Sequence, residues 1–461
     1  MRLENLKKDI VFFFSEQYWH LFVEFTDKEI AILETDSNNL PRKGLILRLA
    51  IFGFGLFRSI AHIRIRRIPK ININLERPEV LILSGSDNEY RSTKFLEDNN
   101  YINTLYCGTI KTNGCAPVQV YLIGALFIPL LIVRFLFSSG EQRNLYKFLS
   151  DQFLLVMGWR AVHRDIYRKR NIKTIVYSNH MSPASRSAVA LAREYSNARV
   201  IYVEHTPILT YWPEIDADVY FLSGQLSLDN MMRRSVINGK DIYLLGSPKN
   251  DSIKFQKKNS ETRYIGLCVS TADNLQEVKS LIFSILSYNN SVNIIVRPHP
   301  SFNNFDSQLA ITHPRLLIRS PIYESVQEYL SSIDCMITND SGIFFEGMLA
   351  GVNVYRVKLS SHFSNNYGVP QEFSPIYNKT ASEVTSFIFS NDSVSISREE
   401  VQFFFGNTAT EFEANASKIV SEVISLYIGT EEERSLLKNR LMTHLSEFKF
   451  DGNRIFKLRT S

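Results

Sequence analysis

The stretch DCMITNDSGIFFEGMLAGVNVYRVKL, residues 334–359, decides how the rest of the chain is read. An apolar run, Met336-Ile337-Thr338, stops at Asn339-Asp340-Ser341-Gly342; a helix-forming run follows, then a second apolar run over 352–357. Strand, loop, helix and strand at this spacing form one repeat of a parallel α/β sheet, and the loop after such a strand lies at the carboxyl edge, where ligands bind. The loop suits an anion. A helix start presents unpaired N–H groups and the positive end of its dipole. Asn339 and Asp340 lead into it, Ser341 adds a hydroxyl donor, and Gly342 lets a phosphate come close to the backbone. Glu346, about one helical turn on, is placed to accept hydrogen bonds from ribose hydroxyls. A capping residue on an ordinary buried helix is the alternative account of the same residues.

Working outward, NIIVRPHP (293–300) is a strand ending in Arg297-Pro298-His299-Pro300. Two prolines stop both helix and strand and hold the loop, so Arg297, His299 and Pro300 reach the same carboxyl edge. There the guanidinium and imidazole are suited to phosphate oxygens. His313-Pro314 lacks a preceding strand and reads as incidental. Strands at 264–269, 292–296, 335–338 and 352–357, with helices at 275–288, 325–331 and 344–350, make one α/β unit. A second unit precedes it, with strands at 79–84, 102–106, 173–177, 198–203, 218–222 and 241–245 and an alanine-rich helix at 185–195. The polar run 246–262 links the two. The resulting division is an extension over 1–75, a first Rossmann-like domain over 76–250, a second over 251–410, and a tail over 411–461 that reads as helices packing back on the first domain.

The 461 residues are enough for two domains, and the composition is that of an ordinary globular protein. A net charge of +5 permits anionic ligands without implying nucleic acid. The four cysteines, Cys107, Cys115, Cys268 and Cys335, form no CxxC pair and read as free thiols of a reducing compartment. No secretory signal opens the chain. The segment GLILRLAIFGFGLF (44–57) runs into Arg58, Arg64, Arg66, Arg67 and Lys70. Such a segment lies at a membrane interface or forms a buried helix before a solvated strand. VQVYLIGALFIPLLIVRFLF (118–137) is nearly long enough to span a bilayer, but Gln119, Pro129 and Arg134 interrupt it, which favours a helix on or partly in the membrane or a hydrophobic helix on the acceptor side.

The RPHP and DCMITNDSGIFFEGMLAGVNVYRV segments resemble the nucleotide-binding half of bacterial GT-B glycosyltransferases. They are similar to the capsule and lipopolysaccharide enzymes that use CMP-activated acidic sugars, the sialyltransferases and Kdo transferases. In those families a His-Pro motif and a later serine motif stand at the donor phosphate, which implies that role for His299, Pro300 and Ser341. The same segments resemble UDP-GlcNAc 2-epimerase, whose DSG…E motif binds phosphate and ribose; this implies the roles of Ser341, Gly342 and Glu346. Many sialyltransferases carry paired serine or threonine where this chain has Ser341-Gly342. The resemblance covers roughly residues 170–360. It implies a GT-B enzyme without a cofactor, cytoplasmic and peripheral to the inner membrane, and with no DxD-like metal site evident in the sequence the enzyme is expected to be metal-independent. The donor is a nucleotide sugar, CMP-linked in the first instance, and the acceptor a glycan or lipid-linked glycan. A CDP-glycerol-type polyol-phosphate transferase, a UDP-sugar transferase and a non-catalytic assembly subunit share the fold.

A base for the acceptor hydroxyl belongs in the first domain. YSNHMSPASR (177–186), VEHTP (203–207) and WPEIDAD (212–218) all sit at strand ends. His205, Glu204 and His180 are the candidates. Strand alternation sends Glu204 and His205 to opposite sides, and His205 is favoured. Asp216 and Asp218 make a DAD, but before a strand of the first domain they are misplaced for a donor metal. Gly246-Ser247-Pro248-Lys249 reads as an interdomain turn; Lys249 is within reach of the donor from there, but a plain hinge is the favoured account.

Overall fold

A computed structural model describes residues 3–14, 44–62, 79–98, 103–107, 116–138, 140–195, 197–210, 212, 214–233, 237–254, 263–271, 273–300, 302, 304–359, 365–370, 380–390, 398–406, 416–428 and 431–458. The basic run 63–70, Cys115 and the polar segment 255–262 lie outside them.

The apolar runs form two parallel sheets. The first comprises β1 (Glu79–Leu83), β2 (Asn103–Cys107), β3 (Ile172–Tyr177), β4 (Arg199–Val203), β5 (Val219–Leu222) and β6 (Asp241–Leu244), in the order β2-β1-β3-β4-β5-β6. The second comprises β7 (Tyr264–Val269), β8 (Asn293–Pro298), β9 (Leu316–Ile318), β10 (Cys335–Thr338) and β11 (Asn353–Arg356), in the order β9-β8-β7-β10-β11. Strands covered on both faces need apolar residues at every position, which is why these runs do not alternate with polar ones. In the first sheet Leu81, Ile175 and Val200 enter one core, while their neighbours Val80, Val176 and Ile201 enter the other. The strand order reverses between β1 and β3 in one sheet and between β7 and β10 in the other. These switch points leave a crevice outside the carboxyl ends, so the topology alone marks where each sheet receives a ligand. Two Rossmann-like sheets with ligand edges turned toward one cleft are the architecture that the sequence leads one to expect.

After the second sheet the chain returns to the first: Ile419, Val420, Val423 and Ile424 of the helix Ala416–Ile428 pack beneath β1, β4 and β5. The tail is not helical to its end. Beyond the helix Glu431–His444 it forms a hairpin, β12 (Leu445–Phe450) and β13 (Asn453–Leu458), and β13 pairs in parallel with β6. The residues LSEFKFDGNRIFKL (445–458) form two short runs that turn at Asp451-Gly452, whose φ values are 47° and 75°. Asp-Gly with both residues left-handed is the signature of a two-residue hairpin turn.

The crossover from β2 to β3 holds the helices Val118–Ala125, Ile128–Phe137 and Gly140–Lys169, against which Leu3–Phe14 and Leu45–His62 pack. The long helix was hidden in the sequence because it buries charge. Asp9, fully buried on the first helix, accepts from Arg160 Nε at 3.1 Å and from Arg164 Nη1 at 2.8 Å. A Cβ on Gly158 would sit 1.9 Å from the carbonyl oxygen of Val120, so this crossing requires glycine.

Candidate functional site: the cleft between the two sheets

Three loops build the wall on the second sheet. The loop after β8 is joined to β7 by the His299 amide, which donates to the Val269 carbonyl at 2.8 Å. The loop after β10 is joined to the loop after β7 by Asn339 Nδ2, which donates to Asp273 Oδ1 at 2.6 Å. The RPHP and NDSG motifs are thus each tied to the end of β7, the first through the Val269 carbonyl and the second through Asp273, a residue the sequence reading passed over.

Several candidates hold the site in shape. Asn339 is buried on Asp273. Asp340 receives Arg356 and, at 2.6 Å, the amide of Asn366, so it pins the segment 365–370 over the cleft; burial pushes its carboxyl above the usual range. Arg297, expected at the phosphate, is turned elsewhere. Its Nη1 donates to Glu324 Oε2 at 3.2 Å, its Nη2 to the Glu324 carbonyl at 2.9 Å, and its guanidinium lies 5.2 Å from the ring centre of Tyr329. Its charge is matched by a carboxylate, because Glu324 stands beside β8 where the sequence pattern showed only a loop. His299 and Pro300 are exposed at the strand end. Ser341 is half-buried, and its hydroxyl has no hydrogen-bond partner among the described residues. Gly342 has ordinary right-handed backbone, so its lack of a side chain serves space, not conformation.

The first sheet supplies the other wall. Glu204 is buried: Oε2 accepts from the Ser223 amide at 3.0 Å, and Oε1 from Ser223 Oγ at 2.7 Å and Ser227 Oγ at 2.9 Å. Burial raises its carboxyl to about 7 against those hydrogen bonds. A carboxylate enclosed by its own partners does not meet an acceptor, so Glu204 holds the loop instead of serving as the base. Its neighbour His205 points the other way, as alternation requires. His205 Nδ1 lies 2.6 Å from the Ser178 carbonyl. A carbonyl only accepts, so Nδ1 carries the proton and Nε2 the lone pair. The ring keeps some exposure yet is densely surrounded; burial, then the nearby Lys249 cation, lowers its pKa to about 4, so it is neutral at pH 7. His180 is buried between Tyr202 and Trp212, with ring centres 6.3 and 4.8 Å away. Neither of its ring nitrogens has a hydrogen-bond partner among the described residues, and burial holds it neutral. Trp212 also stacks on His205, at 6.4 Å and 19°. Asp216 and Asp218 are bridged by Arg193 at 2.8 and 2.9 Å, a surface network and not a donor site.

The two walls touch. A Cβ built on Gly342 would lie 3.5 Å from Thr206 Oγ1 and 3.5 Å from the Tyr367 hydroxyl. The Thr210 amide donates to the Asn366 carbonyl at 2.8 Å. Lys249 Nζ, from the turn after β6, lies 3.0 Å from Glu346 Oε1. Lys249 therefore reaches across the cleft. Its signal in the sequence was its place immediately after a strand and a Gly-Ser-Pro turn, where a carboxyl-edge cation belongs.

No protein-family model matches the chain, and none of the curated proteins matches it. Solved structures resemble it in overall shape. S. aureus MnaA with UDP is 9% identical with a TM-score of 0.48, covering 76% of this chain and 96% of its own. The glycotransferase of kitacinnamycin is 9% identical at 0.49, covering 77% and 100%. UDP-GlcNAc 2-epimerase from Neisseria meningitidis bound to UDP-GlcNAc is 13% identical at 0.45, covering 75% and 99%.

Proposed function

We propose that the chain transfers a glycosyl group from a nucleotide-activated sugar to a hydroxyl acceptor in the cleft between its sheets. The observation that carries this reading is the meeting of Thr206 with Gly342 and of Lys249 with Glu346. It sets a histidine base from one sheet against a serine-bearing loop from the other. In the reaction the acceptor oxygen attacks the anomeric carbon and its proton passes to His205 Nε2. The bond from that carbon to the phosphate oxygen breaks, and its electron pair leaves with the nucleotide. The Ser341 hydroxyl and Lys249 meet the departing phosphate. Lys249 exchanges Glu346 for it, which releases Glu346 to the ribose hydroxyls. The arriving negative charge also raises the pKa of His205 and makes it a stronger base in the complex than in the free protein. His299, exposed at the strand end, adds an imidazole at the same edge.

The donor we favour is CMP linked to an acidic ulosonic sugar such as sialic acid or Kdo, on the resemblance of the RPHP and NDSG segments. The acceptor is a surface-glycan chain of the capsule, O-antigen or lipopolysaccharide type. Thermal denaturation with CMP, CDP, UDP and GDP tests the site, because a ligand stabilises in proportion to the logarithm of its concentration over its dissociation constant. The expected result is stabilisation by CMP that Lys249→Met weakens, followed by CMP release from CMP-sialic acid or CMP-Kdo that His205→Gln slows by roughly 10²–10⁴. Preference for UDP or CDP would retain the cleft and replace the donor. No response to any of the four nucleotides contradicts the reading.

A further inference from the structure

Among the described residues, the helices on the amino-terminal side expose a cluster of large apolar side chains. The outward face of Leu45–His62 is formed by Ile46, Ala50, Gly53, Phe54 and Phe57, at helical spacing, and Phe54 and Phe57 are 66% and 69% exposed. On Ile128–Phe137, Val133, Leu136 and Phe137 face outward, Phe137 at 86%. Val11 and Phe14 do the same on Leu3–Phe14. These faces belong to one helical cluster: Phe13 meets Phe127 at 5.8 Å and Phe52 meets Tyr121 at 5.3 Å between ring centres.

Two cations of these helices, Arg48 and Arg134, are turned inward. Arg48 Nη1 donates to Asp151 Oδ1 at 3.3 Å. Arg134, the sole charged residue of 118–137, donates to the Phe13 carbonyl and lies 5.8 Å from the ring centres of Phe13 and Phe14. A water-facing helix has the opposite arrangement, with charge outside and phenylalanine inside. Cations that stay exposed stand at the rim: Lys7 and Lys8 one turn before Val11, Arg58 beside Phe57, and Arg143 on the carbonyls of Leu136 and Ser138. Between Asp36 and Glu76 the sequence has eight lysines and arginines and no acidic residue.

We infer that this face is a monotopic docking surface for an anionic lipid bilayer. Its apolar side chains enter the acyl boundary and its basic rim meets the headgroups. Interfacial docking fits the geometry better than spanning. No single helix among the described residues is long and apolar enough to cross, and the pair Val118–Ala125 and Ile128–Phe137 is bent by 50°. The inference is independent of the transfer reading. Charge complementarity selects lipid over a second copy of this basic face, which would repel itself.

The test is co-sedimentation of the full chain with phosphatidylcholine vesicles, with and without phosphatidylglycerol. The expected result is binding to the anionic vesicles that weakens with salt, and a loss of about a hundredfold in partitioning for F54S/F57S/L136S/F137S. These side chains lie outside the core, so the variant's far-ultraviolet circular dichroism stays that of the wild type. As a second readout, Phe57→Trp adds fluorescence that acyl-brominated lipid quenches. Three results overturn the proposal: no sedimentation with either vesicle, equal binding by the quadruple variant, or no quenching of the added tryptophan. Concentration-dependent dimerisation without vesicle binding, abolished by the same substitutions, overturns it in favour of a self-interface.

Discussion

Glu204→Gln separates a structural carboxyl from a catalytic one. The carboxyl of Glu204 is buried and accepts three hydrogen bonds, from the Ser223 amide, Ser223 Oγ and Ser227 Oγ. Burial raises its pKa from 4.5 to about 7. A raised value means the native state holds the proton more tightly than the unfolded chain does. Its stabilising contribution is complete below about pH 4.5 and is lost as the pH rises toward 7. That interval, at about 1.4 kcal/mol per pH unit, makes ionisation cost the native state about 3 kcal/mol. Glutamine fits the same cage: its carbonyl oxygen accepts from the Ser223 amide, and its NH₂ donates to serine hydroxyls that rotate to accept. The variant cannot ionise. Urea unfolding at pH 5 and pH 8 should therefore show the wild type losing most of that ~3 kcal/mol relative to Glu204→Gln, since other titrating groups cancel in the comparison. The melting temperature should diverge by several degrees, at roughly 2 °C per kcal/mol for a domain of this size. Parallel pH profiles would refute the reasoning. So would a turnover collapse in Glu204→Gln with the fold intact, because that would make Glu204 the base.

Other substitutions probe separate parts of the account. His205→Gln should lower kcat by roughly 10²–10⁴ while nucleotide affinity, read by calorimetry, stays within about twofold. Lys249→Met should weaken nucleotide binding by about tenfold or more, the worth of one charge-assisted hydrogen bond, and the same change in a Glu346→Gln background should cost a different amount because the two side chains are coupled. Asp9→Ala leaves Arg160 and Arg164 buried without their shared carboxylate and should cost about 3–5 kcal/mol in urea unfolding. Gly452→Ala places a Cβ at φ +75°, 2.2 Å from Asn238 Oδ1, and should destabilise by about 1–2 kcal/mol in thermal melts.

The sheets were legible because a strand buried on both faces leaves a continuous apolar run such as Val80–Leu83 or Cys335–Thr338, bounded by polar loop residues. The carboxyl-edge loops followed from strand order. Side-chain direction did not. Arg297 and Glu324 are far enough apart in the chain that no local pattern announces their pairing, and the pairing of Lys249 with Glu346 shows only once the two sheets face each other. Alternation along β4 correctly set Glu204 against His205, yet the Ser223, Ser227 and Ser247 cluster that encloses Glu204 comes from three later segments. The helix Gly140–Lys169 was missed because its buried face carries Arg160, His163 and Arg164, which defeats a search for apolar periodicity. The hairpin β12–β13 is different: its Asp-Gly turn was present in the sequence and was overridden by the charge density of the preceding helix.

The central claim is that donor phosphate lies between the serine loop after β10 and the lysine after β6. A crystal structure of the protein with its nucleotide product measures this directly. The account predicts the phosphorus within hydrogen-bonding reach of both Ser341 Oγ and Lys249 Nζ, with Glu346 turned to the ribose and His205 Nε2 facing the vacated sugar position. A nucleotide bound elsewhere, with the Lys249–Glu346 pair undisturbed, would contradict it.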